Sequence, residues 1–239
     1  MKTLLIAASA LAMTLGVAQA QTVRMGTEGA YPPYNFVNDA GEIDGFEREL
    51  GDELCARAEL TCEWVKNDWD TIIPNLVSGN YDTIIAGMSI TDERDEVIDF
   101  TQNYIPPRTS SYVALSEDAD LNGVIAAQTA TLQSGYIAES GATLLEFATV
   151  DEMMAAVRNG EADATFFDTD YLKPVVDSSN GELKFVGEAI VLGKGTGMGL
   201  RESDTELREK FDAAITSMKA DGSLNAMITK WFGAEAATY

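Results

Sequence analysis

The residues best suited to chemistry begin in "AGMSITDER" (86–94), where an apolar run, "YDTII" (81–85), gives way to small residues, two hydroxyls, two acids and Arg94. A guanidinium is a planar, permanently charged fork that matches a carboxylate. Backbone N–H groups near Ser89, and near Thr131 after a second apolar run, would add donors to the same anion where a helix begins. Asp168 has no cation beside it in the sequence and is suited to accept from an ammonium. A carboxylate clamp with an ammonium acceptor recognises an α-amino acid. Tyr31 and Trp69 would flank the ligand's side chain with flat faces that pack on methylenes or on a cation. Glu28 would answer a positive or amide end.

Each residue also has a plainer reading. Arg94 follows Asp92 and Glu93, which suits a surface ion pair. Ser89 or Thr91 suits an ordinary helix N-cap. Tyr31 precedes Pro32 and Pro33 as a packed turn aromatic would, Trp69 suits a core edge, and Asp168 before "TDYL" suits a helix cap. What favours the chemical reading is that all of them fall at the ends of expected strands. In open α/β sheets, ligands bind beyond the carboxyl ends of the strands.

The elements that would position them alternate. "TVRMGT", "CEWVKN", "SSYVAL", "GVIAAQ" and "KFVGEAI" read as strands. "GFERELGDELCARAEL" reads as a helix with Phe46, Leu50 and Leu54 on one face. Leu207, Phe211, Ala214, Ile215 and Met218 form a second helical stripe, with Ser203 and Glu206 at its start and Gly222 after it. A last short helix holds Leu224, Met227, Ile228 and Trp231. This alternation predicts open, mostly parallel sheets.

Residues 68–87, "DWDTIIPNLVSGNYDTIIAG", align without gaps on 149–168, "TVDEMMAAVRNGEADATFFD", at an offset of 81. Asp70 meets Asp151, Gly79 meets Gly160 and Asp82 meets Asp163. Each copy reads as a short amphipathic helix, a glycine C-cap and an apolar strand. Thr149 and Glu152 have capping-box spacing. The echo predicts two lobes built alike, with crossings near "PPRTSSYVA" and "GKGTGMGLRE" and the C-terminal helices returning to the first lobe.

The first twenty residues have the form of a secretory signal: Lys2, an apolar run, then "AQA" for cleavage after Ala20. Cleavage would leave 219 of the 239 residues, enough for one large or two small domains. No other stretch is apolar enough to span a bilayer. The formal charge of −23 repels nucleic acid and anionic membrane surfaces, and it favours cationic ligands. In an exported chain Cys55 and Cys62 suit a disulfide, with two free thiols as the alternative. With no histidine in the chain, a metal site lacks ligands.

Taken together, "GTEGAYPPYNF", "DWDTIIPNL", "YDTIIAGMSITDER", "GEADATFFD" and "DTELREKFDAAITSMKADGSLNAMITKWFG" resemble the periplasmic solute-binding proteins of family 3 that serve ABC importers for polar amino acids. The resemblance spans essentially the whole mature chain and is strongest to the lysine/arginine/ornithine- and histidine-binding group, which shares a short-loop disulfide like Cys55–Cys62. It implies an α/β type II fold of two lobes with open mixed sheets and a two-stranded hinge. Lobe I would hold 21–108 and 198–239, and lobe II 109–197. It also implies a monomeric periplasmic protein that is not an enzyme and needs no cofactor, binding a free polar L-amino acid and docking on an inner-membrane ABC permease.

By the same resemblance, Arg94 with main-chain groups of Ser89 and Thr131 would hold the carboxylate. Asp168, the Ser89 hydroxyl and the Gly87 carbonyl would hold the ammonium. Tyr31 and Trp69 would sandwich the side chain, and Glu28 would meet its end. A basic amino acid is expected first and glutamine second. The chain departs from the family signature at Arg48, where an apolar residue is usual, and from the basic-amino-acid pattern elsewhere: Ala86 and Gly87 replace serines, Leu132 replaces a glutamine, and Glu28 is usually an aspartate. "AGMSITDER" itself looks more like the glutamine-binding branch. The same fold is known to host a cyclohexadienyl dehydratase, for which Glu28 would be the acid. It also hosts ligand-presenting proteins for sensors or chemoreceptors. No G-x-S-x-G elbow or histidine supports a serine hydrolase.

Overall fold

The computed structural model describes residues 22–239. The expected signal peptide and its cleavage point lie outside the described residues.

Two five-stranded mixed sheets carry the chain. The first half runs β1 (Val23–Thr27), three short strands β2 (Ala30–Tyr31), β3 (Asn35–Val37) and β4 (Ile43–Asp44), α1 (Phe46–Arg57), β5 (Cys62–Lys66), α2 (Ile72–Val77), β6 (Thr83–Ile84), α3 (Asp92–Asp95) and β7 (Asp99–Phe100). The second sheet is built from β8 (Thr109–Ala114), β9 (Val124–Gln128), α4 (Leu132–Ser140), β10 (Thr143–Phe147), α5 (Val150–Arg158), β11 (Ala164–Asp168), α6 (Thr169–Ser178) and β12 (Lys184–Val191). The chain then returns to the first sheet as β13 (Gly199–Leu200) and ends in α7 (Thr205–Asp221) and α8 (Ser223–Phe232), which pack on α1.

The two sheets have equivalent orders, β5-β1-β6-β13-β7 and β10-β9-β11-β8-β12. In each, the first three strands are parallel and the strand next to them is antiparallel. The sheets are therefore mixed rather than mostly parallel.

The sequence echo has a physical cause here. β6 and β11 occupy the same central place, and each follows a helix closed by a left-handed glycine, Gly79 at φ 80° and Gly160 at φ 76°. The two matched aspartates do the same work. Asp82 accepts from the backbone N–H of Arg24 at 2.9 Å, and Asp163 from that of Val124 at 2.7 Å. Each carboxylate thus ties the start of its own strand to that strand's parallel neighbour, β1 or β9. The capping box at Thr149 and Glu152 is formed, with both reciprocal bonds present. Asp204, not Ser203, is the N-cap of α7, and its side chain makes no capping bond; the Ser203 hydroxyl instead donates to Asp204.

Phe46, Leu50 and Leu54 are fully buried on one face of α1. Arg48 sits on the opposite, wetter face, paired with Asp52 at 2.8 Å and lying over the Trp64 ring. A charge there costs the core nothing. Cys55 and Cys62 are disulfide-bonded and fasten the end of α1 to β5.

The segments on either side of Ile105 and Thr196 connect the two sheets. They pair with each other, with Tyr104 N–H donating to Thr196 O at 2.8 Å and Thr196 N–H to Ile105 O at 3.0 Å. That paired crossing places the carboxyl ends of both sheets on one cleft.

Candidate functional site

All eight expected site residues line a single cavity between the sheets, together with Ala86, Gln128, Leu132, Gln133 and Phe167.

From the first sheet, β1 leads directly into Glu28, whose side chain is buried against Gln128. Gln128 Nε2 donates to Glu28 Oε1 at 3.1 Å. Burial pushes the Glu28 carboxyl up to about 7. β2 supplies Tyr31, and a 3-10 turn supplies Trp69. The segment after β6 supplies Gly87 and Ser89, and α3 supplies Arg94.

From the second sheet, Thr131 caps α4, with its hydroxyl accepting from Ser134 N–H at 3.1 Å. The amides of the first turn of α4 therefore begin at the cleft, where they favour negative charge. β11 delivers Asp168. Although Asp168 stands at the N-cap of α6, its side chain makes no capping bond. It accepts instead from Tyr31 Oη and, at 2.8 Å, from Gln133 Nε2. Burial raises it to about 6.

Arg94 settles its own ambiguity. Among the described residues it forms no ion pair, whereas its neighbour Asp92 pairs with Lys194. Its Nη1 donates to Ser89 O at 2.8 Å, its Nη2 reaches across the cleft to Ala130 O at 2.9 Å, and its Cζ lies 5.3 Å from the Trp69 ring centre. Burial lowers it to about 10, so it stays charged at neutral pH. The helix-cap role in this segment belongs to Thr91, which accepts from Arg94 N–H at 3.1 Å.

The aromatics do more than flank. Tyr31 stacks nearly parallel to Tyr34 at 4.7 Å and to Tyr171 at 5.6 Å, and it spends its hydroxyl on Asp168. Trp69 Nε1 donates across the cleft to Thr129 O at 3.2 Å. With the bonds from Gln128 and Arg94, these contacts hold the two halves together around the cavity.

Sequence reasoning missed Gln128 and Gln133. No local pattern marks either one, and each acquires its role from a partner far along the chain. Gln133 places an amide at the start of α4, next to Leu132, where the expected glutamine is missing. The departure at Gly87 also has a cause. Gly87 has φ 65°, and a Cβ there would lie 2.5 Å from Tyr31 Cε1. With Tyr31 stacked as it is, no side chain fits. Gly87→Ala should therefore dislodge Tyr31 from Asp168. We expect a stability loss of about 1–2 kcal/mol from the left-handed backbone and a fall in ligand affinity of at least about tenfold, 1.4 kcal/mol. Denaturant titration and calorimetric binding read the two effects separately. Unchanged affinity would count against this packing account.

The arrangement holds a fixed cation near a helix start, together with two buried carboxylates that form no ion pair among the described residues. It can bind a molecule carrying one carboxylate and one or two ammonium groups.

Known proteins resemble this chain over most of its length. The profile of the bacterial extracellular solute-binding proteins, family 3, matches residues 23–234. The histidine-binding periplasmic protein of Salmonella typhimurium is 33% identical over 231 residues, covering 89% of this chain and 88% of that one. The L-arginine-binding protein of Pseudomonas aeruginosa is 31% identical over 229 residues, covering 88% and 87%. A crystal structure from Silicibacter pomeroyi, described as a periplasmic His/Glu/Gln/Arg/opine family-binding protein in complex with lysine, is 80% identical, with a TM-score of 0.90. It covers 91% of this chain and 100% of that one.

Proposed function

The chain belongs to the bacterial extracellular solute-binding proteins of family 3, and from that premise we propose that it is the periplasmic capture component of an ABC importer for basic amino acids. Lysine and arginine are its first ligands and glutamine its second. The observation that carries this reading is the composition of the cavity: Arg94, Asp168 and Glu28 all line it, and none of the three forms an ion pair among the described residues. Arg94 and the start of α4 take the carboxylate, Asp168 takes the α-ammonium, and buried Glu28 takes the distal cation. The 80% identical neighbour described as holding lysine supports the same ligand class.

Closure of the two halves about the paired crossing buries the ligand, and the closed monomer presents both halves to the permease. Binding is its work rather than catalysis. Glu28 and Asp168 are placed as charge acceptors on either side of a clamp, and no cofactor is required.

A thermal-shift screen over the common amino acids tests the reading. Lysine or arginine at about 100 times Kd stabilises the native state by about 2.7 kcal/mol. For a chain of this size that raises Tm by roughly 5–10 °C. Glutamine should give a smaller rise. No rise with any α-amino acid would overturn the proposal.

A further inference from the structure

Glu47, in the first turn of α1, is fully buried and does not line the cavity. It has no cationic partner among the described residues. Three donors converge on it instead. Its Oε1 accepts from Gly87 N–H at 2.6 Å and from the Tyr104 hydroxyl, and its Oε2 accepts from Asn35 Nδ2 at 2.7 Å. Asn35 Oδ1 in turn accepts from Gly29 N–H at 2.7 Å. Burial raises this carboxyl, while the donors from Tyr104, Gly87 and Asn35 pull it back down. The network therefore ends on both loops that wall the cavity, at Gly29 and Gly87, and on Tyr104 in the crossing segment.

The orientation of one peptide plane follows. In a trans peptide the N–H and the preceding C=O point in opposite directions. Anchoring Gly87 N–H inward on Glu47 turns the Ala86 carbonyl the other way. The Ala86 and Gly87 carbonyls accept no hydrogen bond from the described residues, and both residues line the cavity. Released from Glu47, this glycine peptide is free to turn and offer an N–H, which repels an ammonium.

We propose that Glu47 is a positioning residue for the ammonium end of the site. By holding Gly87 N–H inside the lobe it commits the 86–87 backbone to carbonyls in the cleft, and through Tyr104 it ties that choice to the crossing between the halves. The inference rests on the α-amino-acid reading above.

Gly87 N–H and the Asn35 NH₂ can only donate, so both Glu47 carboxyl oxygens must accept. In Glu47→Gln the new NH₂ meets either Gly87 N–H or Asn35 NH₂. Turning the Asn35 amide over only moves the clash to Gly29 N–H.

The test compares lysine with its α-hydroxy analogue, 6-amino-2-hydroxyhexanoate, which lacks the α-ammonium. Glu47→Gln should weaken lysine by at least about tenfold and the analogue by less than about threefold, 1.4 against 0.65 kcal/mol. Equal losses for both would mean a merely structural role and overturn the proposal. Should the variant fail to fold, amide exchange in the unliganded wild type decides. Gly87 N–H should exchange slowly, and fast exchange would overturn the anchor. Wild type that binds no amino acid overturns the underlying reading instead, and it is seen before any variant is made.

Discussion

Arg94→Ala should abolish ligand capture and leave the fold standing. The wild-type guanidinium donates only to two carbonyls, Ser89 O and Ala130 O, so its removal strands no buried acid. It does remove the one cationic side chain that lines the cavity among the described residues. Truncating one partner of a desolvated, hydrogen-bonded charge pair costs about 2–5 kcal/mol, so affinity for lysine should fall at least about 30-fold, with Tm of the unliganded protein within a few degrees of wild type. Arg24→Ala is the contrasting control. Arg24 bonds Asp82 through Nε at 3.0 Å and Nη2 at 2.9 Å and joins β1 to the loop before β6. Its loss should lower stability in denaturant titration while lysine affinity, measured well below the midpoint, stays near wild type. If the two variants behaved alike, with lower Tm and intact binding, Arg94 would be an ordinary structural arginine and the carboxylate clamp would be wrong.

That contrast also marks what could be read from the sequence. The echo was legible because each copy must solve the same local problem, a helix stopped by a left-handed glycine and an aspartate that ties the next strand to its parallel neighbour. Strand ends then pointed to the cleft residues. α4 was not legible as a helix, because its buried face is partly polar: Gln133 and Ser134 are buried where an amphipathic helix would show apolar residues. They are buried because the helix starts at the cleft. The hydroxyl role of Tyr31 depends on Asp168, 137 residues away, and the Gln128–Glu28 bond spans 100 residues. Glu47 reads as one more acid on an acidic helix until Gly87, Tyr104 and Asn35 are folded around it. Pairings of that kind are properties of topology, and no local spacing encodes them.

Affinity for lysine should fall with acidity, and one side chain should account for most of the fall. In the closed cleft burial holds Glu28 at about 7 and Asp168 at about 6, against ordinary carboxylate values near 4. A folded-state pKa raised in this way stabilises the folded protein below the unfolded value, and that contribution is lost as pH rises through the folded pKa. At pH 8 both groups are ionised, and neither forms an ion pair among the described residues. A dicationic ligand supplies the missing charges. Its binding is strongest above pH 7 and weakens as each carboxyl takes up a proton. Between pH 8 and pH 6 the ionised fraction of Glu28 falls about tenfold and that of Asp168 about twofold, so lysine affinity should drop by as much as about 20-fold. Glu28→Gln should remove the larger part, leaving about twofold over the same range. It should also weaken lysine and arginine far more than glutamine, because an amide at this position still hydrogen-bonds another amide but no longer neutralises an ammonium. Calorimetric titrations at pH 6, 7 and 8 with both ligands would check all of this. A pH profile unchanged by Glu28→Gln, or equal losses for lysine and glutamine, would place the distal cation elsewhere and withdraw the preference for basic ligands.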